Sequence, residues 1–410
     1  MTSTIKADIF EAATTNGVTT IRGNGTNSVA IADNTAITGT ATVSSTLGVT
    51  GASTLTGATT ISGQAYPTAG GLWSGRNMVI NGEMKISQRG TQTDISANTY
   101  TTDRWQLQAA GAGRSEVSVS TEVPNNNFVV SAKIDDTTAD TSIGATDLQS
   151  FTQRLEGTTI ARLGLGTASA KAFSVSFWVR STKTGTFCVS IRNPSGTRSI
   201  ASEYTISATN TWEHKKINFA GDTSGTYNTN TSEGFGLNFI LVAGSNYNGK
   251  TADTWEANTQ FSTNSQVNAF DSDTNDFYIT GIQLEAGEST PFEHELLSET
   301  LQKCQRYYTS QGAGVTGYWN GGTNMEVPFQ FFPPMRATPT VTIGNSAPSI
   351  SNKSNSSTGT QSSVAVVNSS GTANGFYFVQ INNCNTSTSP SAGHIGQFRT
   401  DNFMNFSAEL

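Results

Sequence analysis

Between residues 75 and 295, apolar and polar side chains alternate in short runs that are separated by Asn, Gly and Asp. In the run FSVSFWV the apolar side chains that fall on one side are Phe173, Val175, Phe177 and Val179. In the run YITGIQLE, Ile282 and Leu284 alternate with polar neighbours. A period of two residues is the period of a β-strand. Many short strands at regular spacing, without β-α-β spacing, predict a jelly-roll β-sandwich over 75–295.

Residues 37–66 repeat every six positions, as ITGTAT, VSSTLG, VTGAST, LTGATT and ISGQAY. The first position of each hexad is aliphatic and is filled in turn by Ile37, Val43, Val49, Leu55 and Ile61. One chain has too few repeats to bury this thin stripe, because each repeat must cover its apolar face with neighbours. Three chains winding around one axis would close the core. The pattern predicts an intertwined trimeric β shaft over 37–74, and a flexible Gly/Ser/Thr linker is the alternative.

One helix is predicted after the sandwich, in the run HELLSETLQKCQRYYT at residues 294–309. The side chains that recur there at helical spacing are Leu297, Leu301, Cys304 and Tyr308. This spacing predicts a connecting helix over 296–310. Residues 311–410 return to short strands with long Ser/Asn/Gly loops, which predict a C-terminal β-sandwich. The fold class predicted for the whole chain is all-β.

Composition limits the classes of partner. Only 13% of the 410 residues are charged, and the net charge is −7. Nucleic-acid binding needs clustered Lys and Arg, and the sequence has no basic run, so we expect no nucleic-acid partner. No apolar run approaches the ~20 residues of a membrane span, and the N-terminus has no apolar signal-peptide region, so we expect no membrane insertion. Cys188, Cys304 and Cys384 form no CxxC pair and are expected to be reduced.

Catalytic patterns are missing from the sequence. The histidines are His214, His294 and His394, and no GxSxG, HxxxH, GxGxxG or Walker pattern occurs. Nucleophilic and metal-assisted hydrolysis need such groupings. We therefore expect no enzymatic activity and no cofactor.

The segment DSDTND is the one run that resembles a calcium loop. Asp271, Asp273 and Asp276 are candidate calcium ligands within it. The run departs from the loop pattern because Asp276 stands in place of the turn Gly and Ile282 stands in place of the bidentate Glu. An Asx-rich turn is the alternative interpretation.

Aromatic rings in polar or Gly-rich stretches are candidates for contacts with sugars, because sugars bind against flat aromatic faces. The residues of this kind are Tyr247, Trp255, Tyr318 and Trp319. The alternative for each is a ring in the core or in a trimer interface. Trp105, Trp178 and Trp212 lie within strand patterns and are predicted to be core residues.

Six segments resemble, in order, a module of bacteriophage tail fibres. They are NMVINGEMKISQRGT…YTTDRWQL, QRLEG, FSVSFWVRS, TWEHKKINFAGDTSGTYNT, FYITGIQLEAGESTPFEHE and CQRYY, within about residues 76–308. The resemblance implies a jelly roll like that of carbohydrate-binding modules. EVPFQFFPPMRATPTVTI and NFSAEL also resemble elements in the C-terminal domains of such fibres. The family has no uniform set of binding residues, so none is carried over.

The resemblance and the hexads together predict a phage tail fibre, a homotrimeric structural virion protein that attaches to host-surface polysaccharide or protein. Residues 1–36 are then the segment that docks on the tail or on an adaptor protein. The expected location is the virion, and the extracellular space after host lysis. A head, collar or tail decoration fibre without a receptor, a polysaccharide-depolymerising tailspike and a bacterial carbohydrate-binding adhesin are the alternatives.

Overall fold

The computed structural model of the chain describes residues 75–258, residues 260–311 and, with gaps, residues 315–410, together with two short strands at 59–61 and 64–66. Four shaft residues lie outside the described residues: Ile37, Val43, Val49 and Leu55. The predicted attachment segment 1–36 lies outside them too, and so does Cys384. The trimeric shaft therefore stays a prediction.

The regular secondary structure of the described residues is almost all β-strand. Those up to residue 286 are β1 (Thr59–Ile61), β2 (Gln64–Tyr66), β3 (Gln92–Ile95), β4 (Thr99–Tyr100), β5 (Gln106–Ala110), β6 (Arg114–Ser120), β7 (Ser131–Thr138), β8 (Leu148–Glu156), β9 (Phe173–Ser181), β10 (Gly185–Arg192), β11 (Ser199–Ile206), β12 (Glu213–Phe219), β13 (Glu233–Ala243) and β14 (Asp276–Ala286). Those after it are β15 (Tyr308–Gln311), β16 (Val315–Trp319), β17 (Met325–Gln330), β18 (Thr340–Ile343), β19 (Ser349–Asn352), β20 (Ser357–Thr360), β21 (Val366–Gly371), β22 (Phe376–Ile381), β23 (Ile395–Arg399) and β24 (Met404–Ser407). The helices are α1 (Gly157–Ile160), which continues as a 3-10 turn over Ala161–Leu163, and α2 (Leu297–Gln305).

Strands β3 to β14 form a sandwich of two six-stranded antiparallel sheets. The front sheet has the order β11-β10-β13-β8-β5-β4, and the back sheet has the order β12-β9-β14-β7-β6-β3. The chain crosses between the sheets several times, which makes most pairings distant in sequence. This arrangement confirms the predicted all-β class. Before the sandwich, β1 and β2 pair as a short hairpin, and Ile61 ends β1.

The sandwich core is built from the side chains of each strand that point toward the opposite sheet. The four alternating apolar side chains of β9 are fully buried, as predicted: Phe173, Val175, Phe177 and Val179. From the front sheet, Trp105 stacks on Phe151 with ring centroids 4.8 Å apart and is also a core residue, as predicted. Complete burial of one such side chain contributes roughly 1.5–3 kcal/mol, so these rows drive the two sheets together.

Strand β14 keeps its apolar face inward across a β-bulge. The register shifts between Thr280 and Gln283, and Gly281 lies in the bulge with a φ of +62°. A Cβ atom on Gly281 would approach the Phe128 ring to 2.8 Å, so glycine is required there by both conformation and space. Ile282 and Leu284 are fully buried, as predicted.

The connecting helix differs from its prediction. It spans Leu297–Gln305 rather than 296–310, because the chain turns after Gln305 and enters β15 at Tyr308. Its buried face consists of Thr300 and Cys304, while Leu297 is 58% exposed. The predicted stripe is therefore wrong at Leu297, whereas Cys304 and Tyr308 are buried. Helix α1 was not predicted at all. No helix in the described part of the chain is long and apolar enough to cross a membrane.

Strands β15 to β24 form two further antiparallel sheets. A three-stranded sheet has the order β15-β24-β18, and a seven-stranded sheet has the order β20-β19-β23-β16-β17-β22-β21. Their side chains share one core, in which Phe329 of the large sheet lies 4.8 Å from Phe406 of the small sheet. The predicted domain boundaries at 295 and 310 stay predictions, although no sheet is shared across α2 in the described residues.

Candidate functional site

An open groove of about 570 Å³ lies on the outer face of the front sheet. Its described lining comes from β5, β8 and β10, from the residues just before β4 and from the loop that follows β13. Side chains on this face alternate with the core residues of the same strands, so the fold itself turns them outward. The groove therefore combines residues that are far apart in the sequence.

Tyr247 and Phe261 form the aromatic part of the groove. Their rings stack with centroids 5.6 Å apart and planes inclined by 25°. The backbone N–H of Phe261 donates to the carbonyl of Tyr247 (2.7 Å), which fixes the two residues relative to each other. Phe261 packs on Leu148, Cys188 and other apolar residues of the sheet, so the pair has a rigid base. Of the four predicted sugar contacts, Tyr247 is the one that lines this groove.

Amide and hydroxyl groups continue from the groove across the front sheet. Gln108 lines the groove, and Ser150 lies within 3.0 Å of its Oε1 atom and 3.1 Å from Thr152. Thr152 donates to Asn238 Oδ1 (3.0 Å). All four side chains are buried, and each has at least one polar partner within the row. This row holds the Gln108 amide in place at the groove.

Asn98 and Arg192 supply further polar groups to the lining. The Oδ1 atom of Asn98 accepts from the backbone N–H of Ala109 (3.2 Å), which leaves its NH₂ group for a ligand. Arg192 is half-buried, and its guanidinium lies 5.7 Å from the Phe261 ring. Flat rings beside amide and guanidinium donors are suited to hydroxyl-rich ligands.

The structure places the other predicted sugar contacts elsewhere. Trp255 packs against the sandwich core, and its indole N–H donates to the Ala220 carbonyl (2.8 Å). Trp319 is fully buried in the C-terminal core, so in this fold it offers no face to a ligand. Tyr318 is 41% exposed, and its hydroxyl donates to Glu326, which raises the pKa of Tyr318. Tyr318 is therefore an exposed ring in a fixed orientation.

Two tryptophans that were predicted to be core residues lie on the outer face of the back sheet. Trp178 is half-buried with its ring 4.9 Å from that of His214, and Trp212 is half-buried with its ring 6.2 Å from that of Tyr278. Trp178 alternates with the inward-facing Phe177 and Val179, so its strand position turns it outward.

The predicted calcium ligands are engaged by the chain itself. Asp271 pairs with Lys183 and accepts from Asn275 Nδ2 (2.9 Å), and Asp276 pairs with Lys133 at 3.0 Å. Each lysine supplies the charge that a cation would bring. Asp273 is exposed. Within the described residues, no group of three or more His, Cys, Asp or Glu side chains is placed to hold a metal ion.

A carboxyl group that the sequence interpretation missed lies at the end of the sandwich core. Asp136 on β7 is 1% exposed, and in the described part of the chain neither of its carboxylate oxygens has a hydrogen-bond partner. Burial raises the pKa of Asp136 to about 7, and the nearby carboxylates of Asp273, Asp135 and Asp140 add to the increase. The N–H of Thr138 lowers this pKa in part, but its geometry falls short of a hydrogen bond.

No protein-family model matches the sequence, and no curated protein matches it. Structure comparison finds the enzymatically active domain of bacteriophage CBA120 tailspike protein 4, at 15% identity and a TM-score of 0.29, over 52% of this chain and 22% of that chain. It also finds a candidate sugar-binding protein from Bacteroides thetaiotaomicron, at 10% identity and a TM-score of 0.32, over 52% of this chain and 100% of that one.

A third similar structure is the family 11 carbohydrate-binding module of a Clostridium thermocellum cellulase, at 12% identity and a TM-score of 0.24, over 49% of this chain and 99% of that one. The chain thus matches about a fifth of the tailspike chain and nearly all of the two smaller proteins. Similarity at this level establishes neither a shared fold nor a shared function. The resemblance to phage tail fibres stays a prediction.

Proposed function

We propose that this protein is a bacteriophage tail fibre, a trimeric structural protein of the virion that attaches to the host by binding a surface glycan. The groove on the front sheet is the binding site, and the stacked pair of Tyr247 and Phe261 is the observation that supports it. A pyranose ring offers C–H groups on one face and hydroxyl groups at its edge. The aromatic pair can pack against the C–H groups, and the side-chain amides of Asn98 and Gln108 can hydrogen-bond to the hydroxyl groups.

The proposal is for binding without cleavage. Glycosidases place two carboxyl groups on either side of the scissile bond. No Asp or Glu lies among the described residues that line the groove, which supports a binding role. Release of reducing sugars from host polysaccharide by the purified protein would favour the depolymerising tailspike instead.

Replacing Tyr247 with alanine is expected to weaken glycan binding by about 30-fold, because truncating a central aromatic contact costs about 2 kcal/mol. The measurement is titration of the full-length chain against the best ligand from an array of bacterial surface polysaccharides. Tyr247→Phe keeps the ring and is the matched control, with a much smaller loss expected. A wild-type chain that binds nothing on the array, or equal binding by the alanine variant, would contradict the groove as the receptor site and leave the decoration fibre as the better interpretation.

The trimer is proposed from the hexads at residues 37–66. Three copies of the groove around one axis would raise avidity well above the affinity of one site. Three chains of 43.2 kDa give about 130 kDa, and light scattering of the purified chain is expected to find this mass. Replacing Val43 and Val49 with aspartate is expected to shift the mass toward one chain. A monomeric wild-type chain would make residues 37–66 a linker.

A further inference from the structure

Arg192 is the only charged side chain among the described residues that line the groove. We propose that the groove selects an acidic glycan and that the guanidinium of Arg192 binds a carboxylate of the sugar chain. This inference rests on the proposed function, because it names the class of glycan that the same groove takes.

The strand positions hold Arg192 at the groove. Val189 and Ile191 of β10 point into the core, and Arg192, the next residue, points to the outer face. Its neighbour across the sheet on β13 is Gly236. A Cβ atom on Gly236 would be in van der Waals contact with Arg192 Nε at 3.4 Å, so the guanidinium lies against the backbone of β13. On its other side is the Phe261 ring, at 5.7 Å.

The charge of Arg192 is only partly balanced by the protein. Its nearest carboxylate is that of Glu233, with Nη2 and Oε1 3.8 Å apart, which is too far for a hydrogen bond. Glu233 also faces Arg154, with Nε and Oε2 3.6 Å apart, so one carboxylate serves two guanidinium groups. Burial raises the pKa of Glu233, which shows how weakly this carboxylate is compensated for its loss of water.

Arg192 also has a hydrogen-bond donor that no group within the described residues uses. Its Nε atom is buried and has no hydrogen-bond partner within the described residues. Burial lowers the pKa of Arg192, yet a guanidinium remains charged at any physiological pH. A buried donor without a partner costs free energy, and a ligand oxygen would remove that cost. The groove therefore lacks one anionic hydrogen-bond acceptor for Arg192.

A carboxylate on a sugar fits this deficit better than other anions. The guanidinium fork matches the two oxygens of a carboxylate, and the Asn98 NH₂ group adds a neutral donor in the same lining. The aromatic pair requires that the anion be attached to a ring with an apolar face. Nucleic acid is disfavoured because its recognition needs clustered Lys and Arg, and the described lining of the groove contains one Arg and no Lys. A uronic acid within an oligosaccharide meets all of these conditions.

The test uses matched pairs of β-1,4-linked hexamers that differ only at C6: mannuronate and mannose, and glucuronate and glucose. Affinities of the full-length chain are measured by titration calorimetry at low and high salt. We expect at least one uronate hexamer to bind about tenfold or more tightly than its neutral partner, with an affinity that falls as salt rises. Arg192→Gln is expected to lower uronate affinity by about 10–100-fold and to remove the preference.

Two variants control this comparison. Arg192→Lys keeps the charge without the fork and should show a smaller loss, and Arg180→Gln on the outer face of the back sheet should bind as the wild type does. Melting curves exclude unfolding as the cause of any loss. Equal or better binding of the neutral hexamers, lost on Tyr247→Ala but unchanged in Arg192→Gln, would overturn the acidic class and leave the groove intact. Binding of none of the four hexamers would count against both proposals.

Discussion

Replacing Glu409 with alanine is expected to lower the free energy of unfolding by about 3–5 kcal/mol, because it leaves a buried guanidinium without its carboxylate. Glu409 follows β24, and its side chain pairs with Arg104 and Arg89 of the sandwich. Arg104 is 1% exposed and lies on the face of Tyr307, 3.5 Å from the ring centroid. The pair therefore ties the C-terminal sheets to the sandwich in a region that water does not reach.

The measurement is urea unfolding of the two variants Glu409→Ala and Glu122→Ala. Glu122 pairs with Arg180 at 2.9 Å but is 61% exposed, so its loss is expected to cost under about 1 kcal/mol. A double variant, Arg104→Met with Glu409→Met, removes both charges of the most buried pair and is expected to recover part of the lost stability, because Arg89 still loses its partner Glu409. If Glu409→Ala cost no more than Glu122→Ala, the buried pair would not hold the two parts of the chain together.

Period-two alternation predicted the strands and much of the core, because burial on one face of a sheet is a local property of the sequence. The same rule explains where the interpretation of single residues went wrong. In β16, Gly317 and Trp319 point inward while Tyr318 points outward, so alternation separates the buried tryptophan from the exposed tyrosine. Both rings were predicted to contact sugars because GYWNGG is rich in glycine, and this criterion does not distinguish the two faces of a strand.

The groove could be predicted only in part. Tyr247 carried a local signal, since an aromatic ring in GSNYNGK has little reason to be buried. Asn98, Gln108 and Arg192 carried none, because each looks like an ordinary polar residue: Asn98 precedes β4, Gln108 lies in the middle of β5 and Arg192 ends β10. They meet at one groove only through the strand order of the front sheet, in which β13 lies between β10 and β8. Strand order depends on pairings between distant segments, which periodicity does not encode.

The helix shows a similar limit. Leu297 and Cys304 recur at helical spacing, but the buried face of α2 is set by what lies beneath the helix, and this favours Thr300 over Leu297. Period-two alternation could have predicted that Asp136 is buried, since Ala132 and Ile134 alternate with it and are buried. Its carboxyl group made an inward position look improbable.

Replacing Asp136 with asparagine is expected to stabilise the protein at pH 8 by roughly 2–4 kcal/mol and to have little effect near pH 4. The pKa of Asp136 is raised from 3.8 to about 7 in the folded chain. Between these two values the folded state holds a proton that the unfolded state has lost, so the stability of the wild type falls as pH rises through this window. Above pH 7 both states are ionised and the full cost of a buried, unpartnered carboxylate remains.

Denaturant unfolding from pH 4 to pH 9 measures this slope. Asp136→Asn is expected to flatten it, because an amide fills the same space without a charge. Asp135→Asn is the matched control, since Asp135 is adjacent on β7 but faces outward and pairs with Lys133 at 2.9 Å. It should reproduce at most the small part of the gain that comes from its own charge beside Asp136. Equal slopes in wild type and Asp136→Asn would contradict the buried, ionisable state. A cation held by Asp136 would give the opposite sign, with calcium stabilising the wild type alone and asparagine destabilising the chain at pH 8.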